Sequence, residues 1–232
     1  MIKVFSANFI GLIVGILNGF FLPAFLKIDQ YAYLKTFSLY VSFVGILHFG
    51  FLDGIYLKYG GKFKDVLNRE ELKFEHNFLI LFQLLITFMF LLIAMIRKDF
   101  ILLAFALAII PIDMQTYFSF LYQSIGEMGT FAKVKTAYPT IILCLNLSLI
   151  FLVGINHYLP FVIAILISHY VVFLIFEFIY NKDFKTKGIT KVKVKFNEGL
   201  PLIECKIIAW FCSGKKIINY FRIWFHRLQA YY

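Results

Sequence analysis

The chain has 232 residues, of which 61% are hydrophobic, 20% aromatic and only 16% charged, with a formal net charge of +10. With a mean hydropathy of +0.82, this excludes an ordinary water-soluble globular domain. The positive charge lies in short segments beside long apolar runs. That placement fits membrane orientation and anionic headgroups better than a duplex-binding face, and no nucleic-acid partner is expected.

Six apolar runs of about twenty residues, the length an α-helix needs to cross a bilayer, follow in order. The first is expected over Phe5 to Leu26; it is too long for a signal-peptide core, and no small-residue cleavage site follows it. The second is expected over Ala32 to Leu57, the third over Asn77 to Ile96 and the fourth over Phe100 to Tyr122. The fifth runs from Ala137 to Ile155 and the sixth from Tyr158 to Tyr180. The expected fold is thus an all-α integral membrane protein with a six-helix lobe over residues 1–180. A basic cytoplasmic linker over 181–199 and an incomplete seventh span with an amphipathic tail over 200–232 complete it.

Charge asymmetry sets the direction. The segments at one side hold Lys3, then Lys58, Lys62, Lys64, Arg69 and Lys73, then Lys133 and Lys135, then six lysines from Lys182 to Lys195. The opposite loops hold only Lys27, Arg97 and Lys98, with Lys35 near a span end. The positive-inside rule puts the N-terminus in the cytoplasm of a cell with an inner membrane.

Prolines and glycines mark the spans. Pro139 and Pro160 are expected at span starts, where a missing N–H costs little, and Pro23 near a span end. Pro111 is interior to the fourth span and should free a backbone carbonyl and kink the helix beside Asp113, Gln115 and Thr116, as a water-lined cavity or binding site would use. Gly11, Gly15 and Gly19 recur every four residues and form a stripe for close helix packing; Gly50 and Gly54 are a second such pair.

Ionisable side chains are costly in lipid, so each is a candidate for substrate or coupling-ion binding. Asp113 is the deepest acid, His169 lies near mid-helix, and Asp53 and Glu177 lie near the cytoplasmic span ends. His48 is also embedded, while Lys58 and Lys35 have the reach to snorkel to an interface. For Asp113 the competing reading is a packed kink whose polar groups bond neighbouring helices. For Asp53 and Glu177 it is contact with headgroup water. Cys144, Cys205 and Cys212 have neither disulfide nor metal spacing. No nucleophile elbow, phosphate-cradling glycine loop or paired metal-ligand histidines are present, so neither enzyme chemistry nor a cofactor is expected.

The stretch His48-Phe-Gly-Phe-Leu-Asp-Gly-Ile-Tyr-Leu-Lys-Tyr-Gly-Gly61 resembles a segment of the polysaccharide and O-antigen flippases. Pro23-Ala-Phe-Leu26, Tyr31-Ala-Tyr-Leu34 and the loop Gly126-Glu-Met-Gly-Thr-Phe-Ala-Lys-Val-Lys135 are similar to matching parts of that family. The resemblance covers roughly the first 220 residues. It implies an N-terminal lobe of the multidrug/oligosaccharidyl-lipid/polysaccharide superfamily, which flips lipid-linked oligosaccharides of the polyprenyl pyrophosphate type. It supports Asp53 and Lys58, which lie within the motif. A full member has about twelve helices, so this lobe would need a second lobe or a homodimer partner. Glu204, Lys206, Lys215 and Lys216 interrupt the expected seventh span. Beyond Phe221 the pattern reads as an interfacial amphipathic helix or as the tail of a truncated chain, truncation being preferred. Two other readings stay open: a membrane enzyme of polysaccharide assembly, polymerase or acyltransferase, and a non-catalytic membrane subunit.

Overall fold

A computed structural model describes residues 2–154 and 156–185; the expected linker beyond Lys185, the incomplete seventh span and the tail lie outside the described residues. Contacts group Met1–Thr186 as one compact unit, and the described residues form helices joined by short turns.

Helix α1 spans Ile2–Phe25. Helix α2, Ile28–Ser42, continues through a short 3-10 turn, Val44–Ile46, to α3, Phe51–Tyr59. Helix α4 spans Arg69–Arg97, α5 Phe100–Ser124, α6 Met128–Ser148 with a π-helical extension Leu149–Val153, and α7 Tyr158–Asp183. Among the described residues five helices are long and apolar enough to cross a membrane, or six where the bent pair of α2 and α3 counts as one span. The chain is an all-α integral membrane protein.

Local chemistry sets the helix ends. The Asn68 side chain accepts from the amides of Glu70 and Glu71 at 3.1 and 3.3 Å, so α4 begins at Arg69, eight residues before the expected Asn77. Glu70 and Glu71 then lie against the positive end of the helix dipole. Lys98 adopts a left-handed conformation, φ 52°, and Asp99 caps α5 by accepting from Ile101 and Leu102 at 2.9 and 3.2 Å. Two residues therefore turn α4 into an antiparallel hairpin with α5. Gly126, φ 79°, makes the corresponding turn into α6.

Two expectations about spans are corrected. The second span is broken: α2 and α3 meet at 52°, with Phe49 and Gly50 both at positive φ (48° and 77°). His48 supports the break by accepting the Gly50 amide at 3.2 Å. Pro139 is not at a span start, because α6 begins at Met128 and carries the proline in its interior.

Helix α5 is the centre. Ala104, Ala106, Ala108, Ile109, Met114, Tyr117, Phe118, Leu121 and Tyr122 are all fully buried, and α5 packs on α2, α3, α4, α6 and α7. A helix buried all round is a core helix. Helix α4 is one-sided: Leu72, Leu79 and Ile86 face inward while Leu81, Leu84, Leu85, Phe88 and Met89 are exposed. In a bilayer the exposed face meets lipid.

Among the described residues no helix packs on the glycine stripe of α1. Helix α1 packs mainly on α6, where Asn146 donates to the Asn18 side chain at 3.0 Å. A Cβ added at Gly11, Gly15, Gly19 or Gly54 would meet nothing within 4 Å. No described helix closes on the stripe; Gly50 serves the left-handed break instead.

Candidate functional site

Three groups of polar side chains inside the bundle bear on the candidates. At one end, α3, α4, α5 and α7 converge. Lys58 of α3 makes ion pairs with Glu71 and Glu75 of α4, and the Tyr59 hydroxyl donates to Glu75 at 2.7 Å. One residue on, His76 meets Glu177 of α7 at 2.9 Å. Glu177 also accepts from Asn181 at 2.9 Å. The His76 ring stacks on Tyr180, centroids 4.6 Å apart, and the Tyr180 hydroxyl donates to the Leu72 carbonyl at 3.2 Å. Further out, Asp183 accepts from Tyr122 and pairs with Lys64.

This cluster consumes its own charges. Lys58 faces two carboxylates and Glu177 faces a histidine and an amide. The arrangement ties α3, α4 and α7 together at one end. Asp53 is exposed and makes no ion pair among the described residues.

The second group ties α5, α6 and α7. The Gln115 amide donates to the His169 carbonyl at 2.8 Å and meets Nδ1 of the same residue at 3.0 Å. Tyr138 stacks on the His169 ring, centroids 3.9 Å apart and 14° from parallel. His169 is thereby held by two neighbouring helices. Between α7 and α5, Tyr170 donates to the Leu107 carbonyl at 2.9 Å. That carbonyl is the one Pro111 leaves without its helical donor.

The third group is Asp113 on α5 with Gln83 and Thr87 on α4. Asp113 and Gln83 are 0% exposed and Thr87 is 6% exposed. Both carboxyl oxygens of Asp113, both amide atoms of Gln83 and the Thr87 hydroxyl have no hydrogen-bond partner among the described residues. An unpartnered buried amide costs about 1–3 kcal/mol, and an unpaired ionised carboxylate far more. Such groups are conspicuous in a chain that satisfies most of its buried polar atoms.

Of the five sequence-derived candidates, the structure brings Lys58 and Glu177 to one end through the adjacent Glu75 and His76. Asp113 and His169 lie in separate groups, and Asp53 joins neither. Sequence reasoning missed Glu75, His76 and Gln83. Gln83 had a signal, since it and Thr87 are the only polar residues between Phe78 and Ile96. Among the described residues, no group of three or more His, Cys, Asp or Glu side chains is placed to hold a metal ion. No family model, no curated protein and no solved structure matches the chain.

Proposed function

We infer that the chain is one six-span lobe of a transporter of the cytoplasmic membrane that moves a lipid-linked oligosaccharide between leaflets. The observation that carries a transport reading is Asp113, fully buried in the central helix with both oxygens unpartnered. A bundle built only to fill a membrane gains nothing from such a group, whereas a transporter uses it to bind what it moves or what drives the movement.

The substrate class rests on the resemblance of His48–Gly61 and the loop after α5 to the flippases of surface-polysaccharide assembly. A polyprenyl pyrophosphate glycan needs a hydrated path for its head while its tail stays in lipid. The Lys58-rich end is assigned to the cytoplasm by the excess of Lys and Arg there. Alternating access requires two bodies rocking against each other. A second copy of the lobe, or a separate second lobe, is the other body.

The test uses liposomes carrying a fluorescent polyprenyl-pyrophosphate oligosaccharide and a membrane-impermeant quencher added outside. Liposomes with the protein should lose the protected inner-leaflet signal, faster than protein-free liposomes do. Equal rates with and without protein, with oligomers present, would overturn the reading.

One observation favours a second reading as a non-catalytic membrane subunit. Gly15 and Gly19 of α1 face open space, where a partner's helix has room to approach. Stoichiometric co-purification of another polytopic chain, lost on Gly15→Leu, would favour it.

A further inference from the structure

Two ring contacts establish how α4 and α5 lie against each other. At one end His76 sits 5.4 Å from Tyr117, centroid to centroid; at the other Phe90 sits 5.2 Å from Phe105. The pair is therefore antiparallel. Gln83 is seven residues from both His76 and Phe90, two helical turns from each, so it lies on the same face midway between the contacts. The matching midpoint of α5 between Phe105 and Tyr117 is Pro111. Asp113 is two residues from that level, an axial offset of about 3 Å at the helical rise. It is also one turn from Tyr117, on the face turned toward α4.

Gln83 and Asp113 thus share one interface at one depth, yet neither satisfies the other. Each is fully buried and each keeps all its side-chain oxygens unpartnered. Thr87, one turn from Gln83 toward Phe90, adds a fourth unpartnered oxygen along the same face.

The geometry points to a sodium-ion site between α4 and α5, with the Asp113 carboxylate and the Gln83 amide oxygen as protein ligands and Thr87 on the approach. The donor set is all oxygen, which suits a hard cation. Charge selects the valence: a monovalent cation on one carboxylate makes a neutral unit, while a divalent one leaves an uncompensated charge deep in the bundle. The site's role as the driving ion rests on the transport reading above; the binding itself does not.

The experiment is sodium binding by the purified full chain in lipid nanodiscs, read as bound radioactive sodium and as the shift in melting temperature. Sodium chloride is compared with choline chloride at constant ionic strength. The parent should bind sodium saturably and melt higher in it. Asp113→Asn should lose both effects, and Gln83→Leu should weaken binding at least threefold. Thr116→Val, whose hydroxyl bonds only its own helix at the Ile112 carbonyl, should bind as the parent does. If Asp113→Asn fails to fold, Gln83→Leu carries the comparison. Equal sodium binding by parent and both variants, or no sodium binding by the parent, would overturn the site. Flipping without sodium binding would remove the site and leave the transport reading. Sodium binding without flipping would do the reverse.

Discussion

The Tyr170 hydroxyl donates to the Leu107 carbonyl at 2.9 Å, and Leu107 is the residue four before Pro111. A proline inside a membrane helix removes one backbone donor where no water can replace it. Here α7 supplies the replacement. The central helix can therefore run unbroken from Phe100 to Ser124 through a proline.

Tyr170→Phe should destabilise the chain by about 1 kcal/mol, the usual range for an interhelical hydrogen bond in a membrane. In a Pro111→Ala background the new amide donates to Leu107, and the same substitution should cost under about 0.5 kcal/mol. Unfolding titrations in mixed micelles of the four proteins measure the coupling. Equal costs in both backgrounds would mean that Tyr170 does not answer the proline.

The ion pairs at the Lys58 end differ in exposure, and so should their worth. The Glu71 side chain is 47% exposed and that of Glu75 only 15%. Glu71→Gln should change stability by no more than about 0.5 kcal/mol. Lys58→Met leaves Glu75 without its cation in a half-dry site and should cost about 1–3 kcal/mol. Melting curves in detergent distinguish the two, and the reverse order would contradict the assignment.

The exposed glycine stripe gives a prediction of opposite sign. Since a Cβ at Gly15 meets nothing within 4 Å, Gly15→Ala should stabilise this chain by about 0.5–1 kcal/mol through reduced unfolded-state freedom. A melting temperature that falls instead would show a second helix seated on the stripe.

The proposed orientation is tested at the loops. Lys62 stands in the turn between α3 and α4, and Lys98 in the turn between α4 and α5. With native cysteines replaced, Lys62→Cys should react with an impermeant thiol reagent only after the cells are opened. Lys98→Cys should react in intact spheroplasts. The opposite pattern would invert the topology.

Much of the helical layout was legible because apolar length is set by the membrane itself. The fourth and sixth spans were placed correctly at Phe100 and Tyr158, where Asp99 and His157 cap the helices. The Asn68 cap with Glu70 and Glu71 was equally readable, but span-finding by apolarity stopped at Asn77 and left Glu75 and His76 outside. The break at Phe49 was not readable, because nothing in a phenylalanine side chain announces a positive φ. Periodicity located the stripe of Gly11, Gly15 and Gly19 but not its surroundings, since a repeat defines a face and not what covers it. The pairing of Lys58 with Glu71 and Glu75 spans a turn of the chain, and only tertiary packing reveals it. Asp113 stood out by depth, while Gln83, uncharged, did not.

The most direct test of the account is the flipping rate of a lipid-linked oligosaccharide by the parent, Asp113→Asn and Glu177→Gln in the same liposomes. Glu177 is partnered by His76 and Asn181 at one end of the bundle, whereas Asp113 is buried in its centre without a hydrogen-bond partner among the described residues. The account predicts transport by the parent, at least a tenfold lower rate for Asp113→Asn and a smaller loss for Glu177→Gln. Equal rates for all three proteins would contradict it.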